Sequence, residues 1–369
     1  MSNTPGGQKD YDVVVVGARV AGSVLSALLG AEGRRVALVD KATAGTPTVS
    51  THFFRGGGLV SVLDSLGLID AVLAEGTPRL TRQWVHSGSE PDPVEGPPQN
   101  PGSMGYCLSV RRSTLDPLLV ARAAREATVE YWPDTTVIDV LKDGAQVVGV
   151  DTRGPQGETR LTAKLVVGAD GRRSTVALAV GAPVEEEEEG HRSLFYRYVK
   201  GWTSPDGGAP DAAEFSPAED EMAYVFPSDR GWTCIAATVS RQSAKWLQTD
   251  LAARFDERLR AHKGLAPRLS LCRDQTRMFG GPTGTNYVRG ASGPGWLLIG
   301  DAGQHQDPWT GFGMDLAGLT AAAAARHIGQ FLAGSLSEET LHRAWAEERD
   351  TIGRDTWRAT VEGSRQLGG

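Results

Sequence analysis

The segment 296–321 carries the residues best suited to ligand binding. An apolar run, 296–299, is followed by Gly300 and Asp301, and the Pro- and Gly-containing stretch 308–313 leads into a helical pattern. A carboxylate at the end of a strand can accept hydrogen bonds from sugar-like hydroxyl groups. Glycines let backbone N–H groups and a helix N-terminus approach a flat, electron-rich ring closely. The segment therefore predicts a site for a ligand that has both groups.

A second ligand-binding pattern lies near the N-terminus. Residues 11–16 are typical of a buried strand, 17–22 of a tight turn, 23–29 of an apolar helix start, and 35–39 of a second strand that ends at Asp40. This is the layout of a dinucleotide-binding βαβ unit, whose acidic residue about 20 positions after the turn binds ribose hydroxyls. Alone, it is also compatible with a chance βαβ turn. With the distal segment, it predicts that the protein binds FAD.

The glycine turn departs from the usual pattern at one position. Arg19 stands where a second glycine normally admits the pyrophosphate. The turn resembles a Gly-x-Arg-x-Ala-Gly variant that occurs in flavoproteins, which implies that Arg19 is compatible with FAD, either paired with the pyrophosphate or directed to solvent. The residues expected to bind the cofactor at the two ends of the chain are Gly17, Ala18, Arg19, Val20, Ala21, Gly22, Asp40, Lys41, Gly300, Asp301, Pro308, Gly311, Phe312, Gly313 and Met314.

Two further motifs lie between these ends. Asp170 follows the apolar run 165–168, and Arg111 and Arg112 precede a helical pattern. Taken singly, an Asp-Gly turn is common in α/β proteins, and basic residues are common on a solvated helix N-terminus. In order and rough spacing, however, the four segments resemble those of the single-component (group A) flavoprotein monooxygenases. The resemblance implies that Asp170 lies by the FAD pyrophosphate and that Arg112, with Arg111 as the second candidate, contacts the FAD phosphate or ribityl region.

Two positions depart from that family's pattern, because Gln304 replaces the usual His and Asp315 the usual Asn. The stretch 50–58 also resembles geranylgeranyl-reductase-like FAD-dependent oxidoreductases. Both resemblances imply the p-hydroxybenzoate hydroxylase-like fold: an α/β protein whose Rossmann-like FAD-binding domain is interleaved with an antiparallel-sheet substrate domain, an α+β second layer. The expected FAD-binding segments are 10–80, 106–185 and 280–330, the substrate segments are 81–105 and 186–279, and a C-terminal helical segment is 331–369.

The resemblance implies an enzyme reaction. NAD(P)H, as a transient reductant, would reduce the flavin, which would react with O2 at C4a, and the hydroperoxide would oxygenate an aromatic or electron-rich small molecule, such as a biosynthetic intermediate of secondary metabolism. The alternatives are an FAD-dependent dehydrogenase or C=C reductase, and a flavoprotein without turnover. No catalytic side chain is assigned. Residues that could face the flavin or substrate, or serve only structural roles, are His52, Tyr196, Tyr224, His305, Trp202, Trp232, Trp246 and Trp309.

The composition excludes several other functions. The 369 residues include 45 acidic and 38 basic ones, a formal net charge of −7, so there is no basic footprint for nucleic acid. Three scattered cysteines predict no disulfide framework and no zinc motif. No apolar stretch reaches about 18 residues, and no signal-peptide core is apparent, so we expect a cytoplasmic protein without a membrane span. The oligomeric state is not indicated.

The middle of the chain predicts the substrate-binding layer. Residues 194–200 alternate as in a half-buried strand, 222–226 and 232–239 are strand-like, and 251–259 has helical spacing suited to packing on that sheet. The polar segment 201–220 is expected to be irregular, as a surface loop or a lid. The acidic run 185–189 is expected to be a solvated loop rather than a metal site, since no His or Cys accompanies it at ligand spacing.

Overall fold

The computed structural model of the protein describes residues 6–50, 53–86, 93–218 and 220–366. Its strands are β1 (Gly6–Val16), β2 (Val36–Val39), β3 (Phe53–Phe54), β4 (Arg82–Val85), β5 (Val94–Gly96), β6 (Leu108–Ser109), β7 (Val129–Trp132), β8 (Thr136–Asp143), β9 (Gln146–Gly154), β10 (Gly157–Gly168), β11 (Val184–Glu188), β12 (Arg192–Lys200), β13 (Ala212–Pro217), β14 (Glu221–Pro227), β15 (Trp232–Ser240), β16 (Phe279–Pro282), β17 (Asn286–Arg289), β18 (Ser292–Gly293), β19 (Trp296–Leu298) and β20 (Gln304–His305).

The α-helices are α1 (Val20–Ala31), α2 (Ser61–Ser65), α3 (Ile69–Ala74), α4 (Arg112–Ala124), α5 (Thr175–Val180), α6 (Arg241–Leu247), α7 (Leu251–Ala261), α8 (Ala266–Leu269), α9 (Gly313–Leu332) and α10 (Glu338–Gln366). A turn, Gly56–Val60, in which Gly58 has non-helical dihedral angles, precedes α2. Short 3-10 turns are formed by Gly102–Met104, Asp229–Gly231, Gly300–Ala302 and Pro308–Thr310. Among the described helices, none has the length and apolarity needed to cross a membrane.

The first sheet places the ends of the glycine-containing turns side by side. Its main strand order is β18-β19-β10-β1-β2-β7, and β19, β10, β1, β2 and β7 run parallel. Val13 and Val15 of β1 pack in the core beneath α1, α4 and α9, whereas Val14 and Val16 belong to the core cluster on the opposite face. Burial on both faces explains why β1 is a continuous apolar run. The carboxyl ends of β1, β2, β10 and β19 therefore meet at one edge.

The second sheet, in the order β16-β12-β15-β14-β13-β4-β5, is mainly antiparallel. One face, which includes Phe195 and Ile235, packs against Phe255 and Leu259 of α7. The other face, which includes Tyr196 and Phe226, packs with Phe53 of β3. The predicted strands and the helix at 251–259 are confirmed. The prediction of a half-buried strand at 194–200 is wrong, because β12 is covered on both faces.

Two expected loops are regular elements. Strand β13 lies within the segment predicted to be irregular, and it is paired on both sides, with β14 and β4. Its apolar pattern is interrupted by Glu214, which is buried because Arg268 and His86 bind its carboxylate. The acidic run is likewise not a loop, because residues 185–188 belong to β11, which is paired with β17, although the glutamates remain exposed or half-exposed. Its glutamates bind arginines of α10, in the pairs Glu185–Arg349, Glu185–Arg354, Glu186–Arg354, Glu186–Arg358 and Glu188–Arg365.

Candidate cofactor and substrate site

The turn between β1 and α1 needs both of its glycines. Gly17 has φ +106°, and a Cβ at this residue would lie 2.4 Å from the carbonyl oxygen of Ala169 and 2.9 Å from the nitrogen of Asp170. A Cβ at Gly22 would lie 1.8 Å from the carbonyl oxygen of Gly17. The backbone after β10 is thus packed directly against the turn, which brings the predicted Asp-Gly motif to the N-terminus of α1.

Asp40 and Arg19 border this turn. The Asp40 carboxylate accepts hydrogen bonds from the N–H groups of Ala18 (2.7 Å) and Ala42 (2.9 Å), so it is held beside the turn. Lys41 is exposed. Arg19 is the N-cap residue of α1, but its side chain makes no capping bond. It is exposed, and its Nη1 donates a hydrogen bond of 2.6 Å to the Thr48 hydroxyl.

Arg19 offers a first test of the expected cofactor contact. If its guanidinium pairs with the FAD pyrophosphate, Arg19→Ala should lower FAD affinity about tenfold or more, because a charge-assisted hydrogen bond contributes about 1.5–3 kcal/mol. Arg19→Gly should retain more affinity, because glycine lets the backbone approach the pyrophosphate. Thr48→Val is the matched control, since it removes the Thr48 contact but leaves the charge. Equal FAD affinity of the apoprotein in all variants, measured by fluorescence titration, would contradict the contact.

Asp170 has one buried carboxylate oxygen that no group in the described part of the chain contacts by a hydrogen bond. Its Oδ2 accepts hydrogen bonds from the N–H groups of Thr175 (2.6 Å) and Val176 (3.3 Å) at the start of α5. Its Oδ1 is buried and has no partner among the described residues. Burial raises the pKa of Asp170 above its ordinary value. A buried acceptor usually has a donor, so this oxygen, close to the Gly17 turn, fits a ligand that supplies one.

The two arginines at α4 have different environments. Arg111 binds Asp229 through Nε (3.0 Å) and Nη2 (2.7 Å), and its guanidinium lies over the rings of Tyr198 and Trp232. It therefore joins α4 to the second sheet. Arg112 is buried, binds Asp116 through Nε (2.7 Å) and Nη2 (2.9 Å), and its Nη1 is 3.6 Å from the sulfur of Met314. Of these two arginines, Arg112 is the one that reaches the start of α9.

Asp301 lies at the same edge of the first sheet. The preceding residue, Gly300, has φ +54°, and a Cβ there would lie 3.2 Å from the Ala21 side chain of α1. The Asp301 carboxylate is 3.4 Å from Nδ1 of His305. Burial favours the neutral form, but His305, Arg172 and Arg112 outweigh it and hold the pKa of Asp301 below its ordinary value. Asp301 is thus an ionised acceptor close to the turn.

The two residues of β20, Gln304 and His305, point to opposite sides of the strand. Gln304, at the position where the family pattern has His, donates a hydrogen bond of 2.9 Å to the carbonyl of Gly353 in α10. His305, one residue later, contacts Asp301 instead and is 3.3 Å from the carbonyl of Thr283. Because neighbouring strand residues point in opposite directions, the histidine next to the carboxylate is displaced by one position in the sequence.

The loop 308–313 ends at the open N-terminus of α9. Its N-cap residue, Phe312, makes no side-chain capping bond, and a Cβ at Gly313 would meet no described atom within 4 Å. Gly311 has φ +65°, which allows the chain to turn into the helix. The first N–H groups of a helix lack intrahelical acceptors and carry partial positive charge. This helix end therefore suits an electron-rich ring.

An aromatic cavity of about 240 Å³ lies between this loop and the second sheet. We use the term aromatic cavity for the space lined by Phe53, Arg55, Gln99, Phe215, Met222, Tyr224, Phe226, Ala236, Pro308, Trp309, Thr310 and Gly311. Of these residues, only Pro308, Gly311, Tyr224 and Trp309 are individual site candidates from the sequence; Phe53, Arg55 and Thr310 lie within the stretches 50–58 and 308–313. Arg55, which precedes three glycines, lacks a periodic signal, and the phenylalanines look like ordinary core residues.

The candidate catalytic residues occupy different places. Tyr224 lines the aromatic cavity, and its hydroxyl donates a hydrogen bond of 2.6 Å to the carbonyl of Trp309. The Tyr196 hydroxyl donates one of 3.2 Å to the carbonyl of Thr48. Burial raises the pKa of both tyrosines well above the ordinary value. Neither hydroxyl is suited to act as a base at neutral pH.

Of the four tryptophans considered as aromatic walls, Trp309 alone belongs to the described cavity lining. The indole nitrogen of Trp202 donates to Glu214, the ring of Trp232 contacts Arg111 and Lys200, and that of Trp246 contacts Arg254 and Arg258. These contacts give the three residues structural roles. His52 lies outside the described residues.

Comparison with known proteins gives a consistent result. A family model described as an FAD binding domain matches residues 10–360. Digeranylgeranylglycerophospholipid reductase 2 of Methanothermobacter thermautotrophicus is 27% identical over 376 residues, covering 95% of this chain and 86% of the relative. Kynurenine 3-monooxygenase of Salinispora arenicola is 30% identical over 334 residues, covering 83% of this chain and 69% of the relative. The solved structure of PqsL from Pseudomonas aeruginosa matches with a TM-score of 0.83 at 21% identity over 97% of each chain, which shows the fold.

Proposed function

Because the chain belongs to the FAD-binding domain family and is an FAD-dependent oxidoreductase, we propose that it is a monooxygenase that uses NAD(P)H and O2 to hydroxylate or epoxidise a compact aromatic or electron-rich molecule. The observation that carries the proposal is the aromatic cavity, which lies against the loop at the start of α9. Its volume of about 240 Å³ is below the range of about 300–1,000 Å³ typical of drug-sized ligands. We infer a substrate of one or two rings.

We propose that the cofactor lies across the edge of the first sheet. Gly17 to Gly22, with Arg19 and Arg112, would receive the pyrophosphate, Asp40 the ribose, and Asp170 and Asp301 the hydroxyl groups that lie near it. The orphaned Oδ1 of Asp170 and the open N-terminus of α9 support this arrangement. When bound, FAD supplies the electron transfer and the reaction with O2.

The protein's own contribution is positioning and exclusion of water. Phe53, Phe215 and Phe226 form apolar walls, with the Phe53 and Phe226 rings stacked 4.8 Å apart. The loop that faces them is fixed at the carbonyl of Trp309 by the Tyr224 hydroxyl. A dry, shaped cavity would hold a substrate ring close to the cofactor and limit unproductive release of peroxide. No proton transfer by a cavity side chain is required by this proposal.

Oxygen labelling tests the proposal directly. Purified protein with FAD, NADH or NADPH and a panel of phenolic, indolic and polyketide-like compounds should yield a product that carries one atom from labelled O2, detected by mass spectrometry. Substrate should accelerate flavin reduction in stopped-flow absorbance.

Ala236→Leu should weaken substrate binding at least tenfold by filling the cavity. Ala237→Leu adds the same volume on the opposite face of β15, where it should affect stability only.

The second candidate is an FAD-dependent dehydrogenase or C=C reductase. It is favoured by the 27% identity over 95% of the chain to an archaeal reductase. Conversion of a substrate under strict anaerobiosis, with no label from O2 in the product, would replace the monooxygenase proposal with this one. The compact cavity argues against a long isoprenoid chain as its substrate.

A further inference from the structure

Asp315 is a fully buried carboxylate in the first turn of α9. Its Oδ1 accepts hydrogen bonds from the N–H groups of Leu59 (2.8 Å) and Arg55 (3.1 Å), and its Oδ2 is 3.1 Å from Nη1 of Arg55. These three N–H groups favour the ionised carboxylate, whereas burial raises the pKa of Asp315 above its ordinary value. The fit is tight, because a Cβ at Gly58 would lie 2.3 Å from Oδ1.

Arg55 connects this carboxylate to the loop 308–313 and to the aromatic cavity. Its Nη1 also donates to the carbonyl of Gly311 (3.0 Å), and its Nη2 donates to the carbonyl of Thr310 (2.6 Å). The guanidinium lies 5.5 Å from the ring centre of Phe53 and 5.3 Å from that of Phe312. Arg55 is the charged side chain among the described residues of the cavity lining.

The position of this pair has an electrostatic consequence. Two-electron reduction of a flavin with uptake of one proton leaves one additional negative charge on the ring. The N-terminus of a helix stabilises such a charge, whereas an uncompensated carboxylate one turn into the helix opposes it. Burial makes the opposition strong, because water screens it little. A cation that neutralises the carboxylate removes that opposition.

We propose that Asp315 and Arg55 act on the reduction potential of the bound FAD in opposite directions, with Asp315 lowering the potential and Arg55 offsetting that effect, while Arg55 also positions the loop 308–313. Neither residue is proposed to react; both would act through the charge and the loop geometry that they provide next to the cofactor. The proposal rests on FAD binding and is independent of whether the reaction is oxygenation or reduction, so the oxygen-labelling result does not decide it.

The test is the two-electron reduction potential of the purified holoprotein, measured by dithionite titration against a reference dye. Asp315→Asn should shift the equilibrium toward reduced flavin at least tenfold, which corresponds to about 30 mV for a two-electron couple. Arg55→Met should shift it in the opposite direction. The double variant Arg55→Met/Asp315→Asn should lie close to the wild type. Arg55→Lys retains the charge but not the planar fork, so its potential should change little while its FAD affinity falls.

A matched control separates this effect from general destabilisation. Glu214 and Arg268 form another buried pair, at 2.6 Å, on the face of the second sheet that packs against α7 and α8. Glu214→Gln should lower the melting temperature without moving the potential. The proposal is overturned if Asp315→Asn changes the equilibrium between oxidised and reduced flavin by less than twofold. It is also overturned if both single variants shift the potential in the same direction, or if Glu214→Gln shifts the potential as much as Asp315→Asn does.

Discussion

Replacing Gly17 by alanine is expected to abolish FAD retention in the purified protein. At φ +106° any residue with a side chain is strained, at a cost of about 1–3 kcal/mol. The new Cβ would also lie 2.4 Å from the carbonyl oxygen of Ala169, a backbone atom that cannot rotate away. Relief requires the turn to separate from the segment after β10, and that movement would open the site between α1 and Asp170. We expect colourless protein and an FAD affinity reduced by well over tenfold.

Gly33→Ala is the control for this experiment. Gly33 also has positive φ, at +77°, but it is exposed and a Cβ there meets no described atom within 4 Å. This variant should show only the backbone cost and keep its FAD. Measurements of the flavin-to-protein absorbance ratio and of thermal unfolding distinguish the two effects. If both variants retain FAD equally, the packing of the Gly17 turn against Asp170 is not part of the cofactor site.

Truncation of Trp345 is expected to have the largest effect on stability. This side chain of α10 is fully buried, and its indole nitrogen donates a hydrogen bond of 3.2 Å to the carbonyl of Ala291. Trp345→Ala should lower the free energy of unfolding by about 3–5 kcal/mol, because the cavity it leaves adds to the lost transfer free energy. Denaturant titration followed by circular dichroism measures this change. We expect FAD to be released at a lower temperature as well.

Loss of Trp345 is expected to affect FAD retention because α10 contacts the segment 304–310, which includes part of the loop 308–313. Trp357 donates to the carbonyl of His305 (2.9 Å), Gln304 donates to that of Gly353 (2.9 Å), and the hydroxyls of Thr310 and Thr360 are 3.0 Å apart. Trp246→Ala is the matched control, since this tryptophan is half-buried on α6 and contacts surface arginines. Equal losses in the two variants would contradict a special role for the α10 core.

The glycine turn and the Asp301 segment could be recognised from sequence because their requirements are local. Gly17, Gly22 and Gly300 are needed by backbone conformation or by close approach within short motifs, and such needs restrict the residue type directly. Continuous apolar runs and helical spacing predicted β14, β15 and α7 for the same reason. The family and the α/β fold follow from the order of these motifs, and the comparisons confirm both. The domain boundaries and the roles of individual site residues stay predictions.

The residue types in these motifs therefore specify the local backbone geometries that a dinucleotide needs, in the correct order. Which charges are paired depends instead on contacts that form when the chain folds. Arg55 and Asp315 are 260 positions apart in the sequence. Glu214 is buried within a strand because Arg268 neutralises its charge. The glutamates of β11 form ion pairs with arginines of α10. An isolated charged residue usually indicates a solvated surface, and its burial depends on a partner that has no fixed spacing along the chain. For that reason the place of Arg55 beside the aromatic cavity and the ion pairs of α10 could not be predicted, although the sequence does predict a C-terminal helical segment.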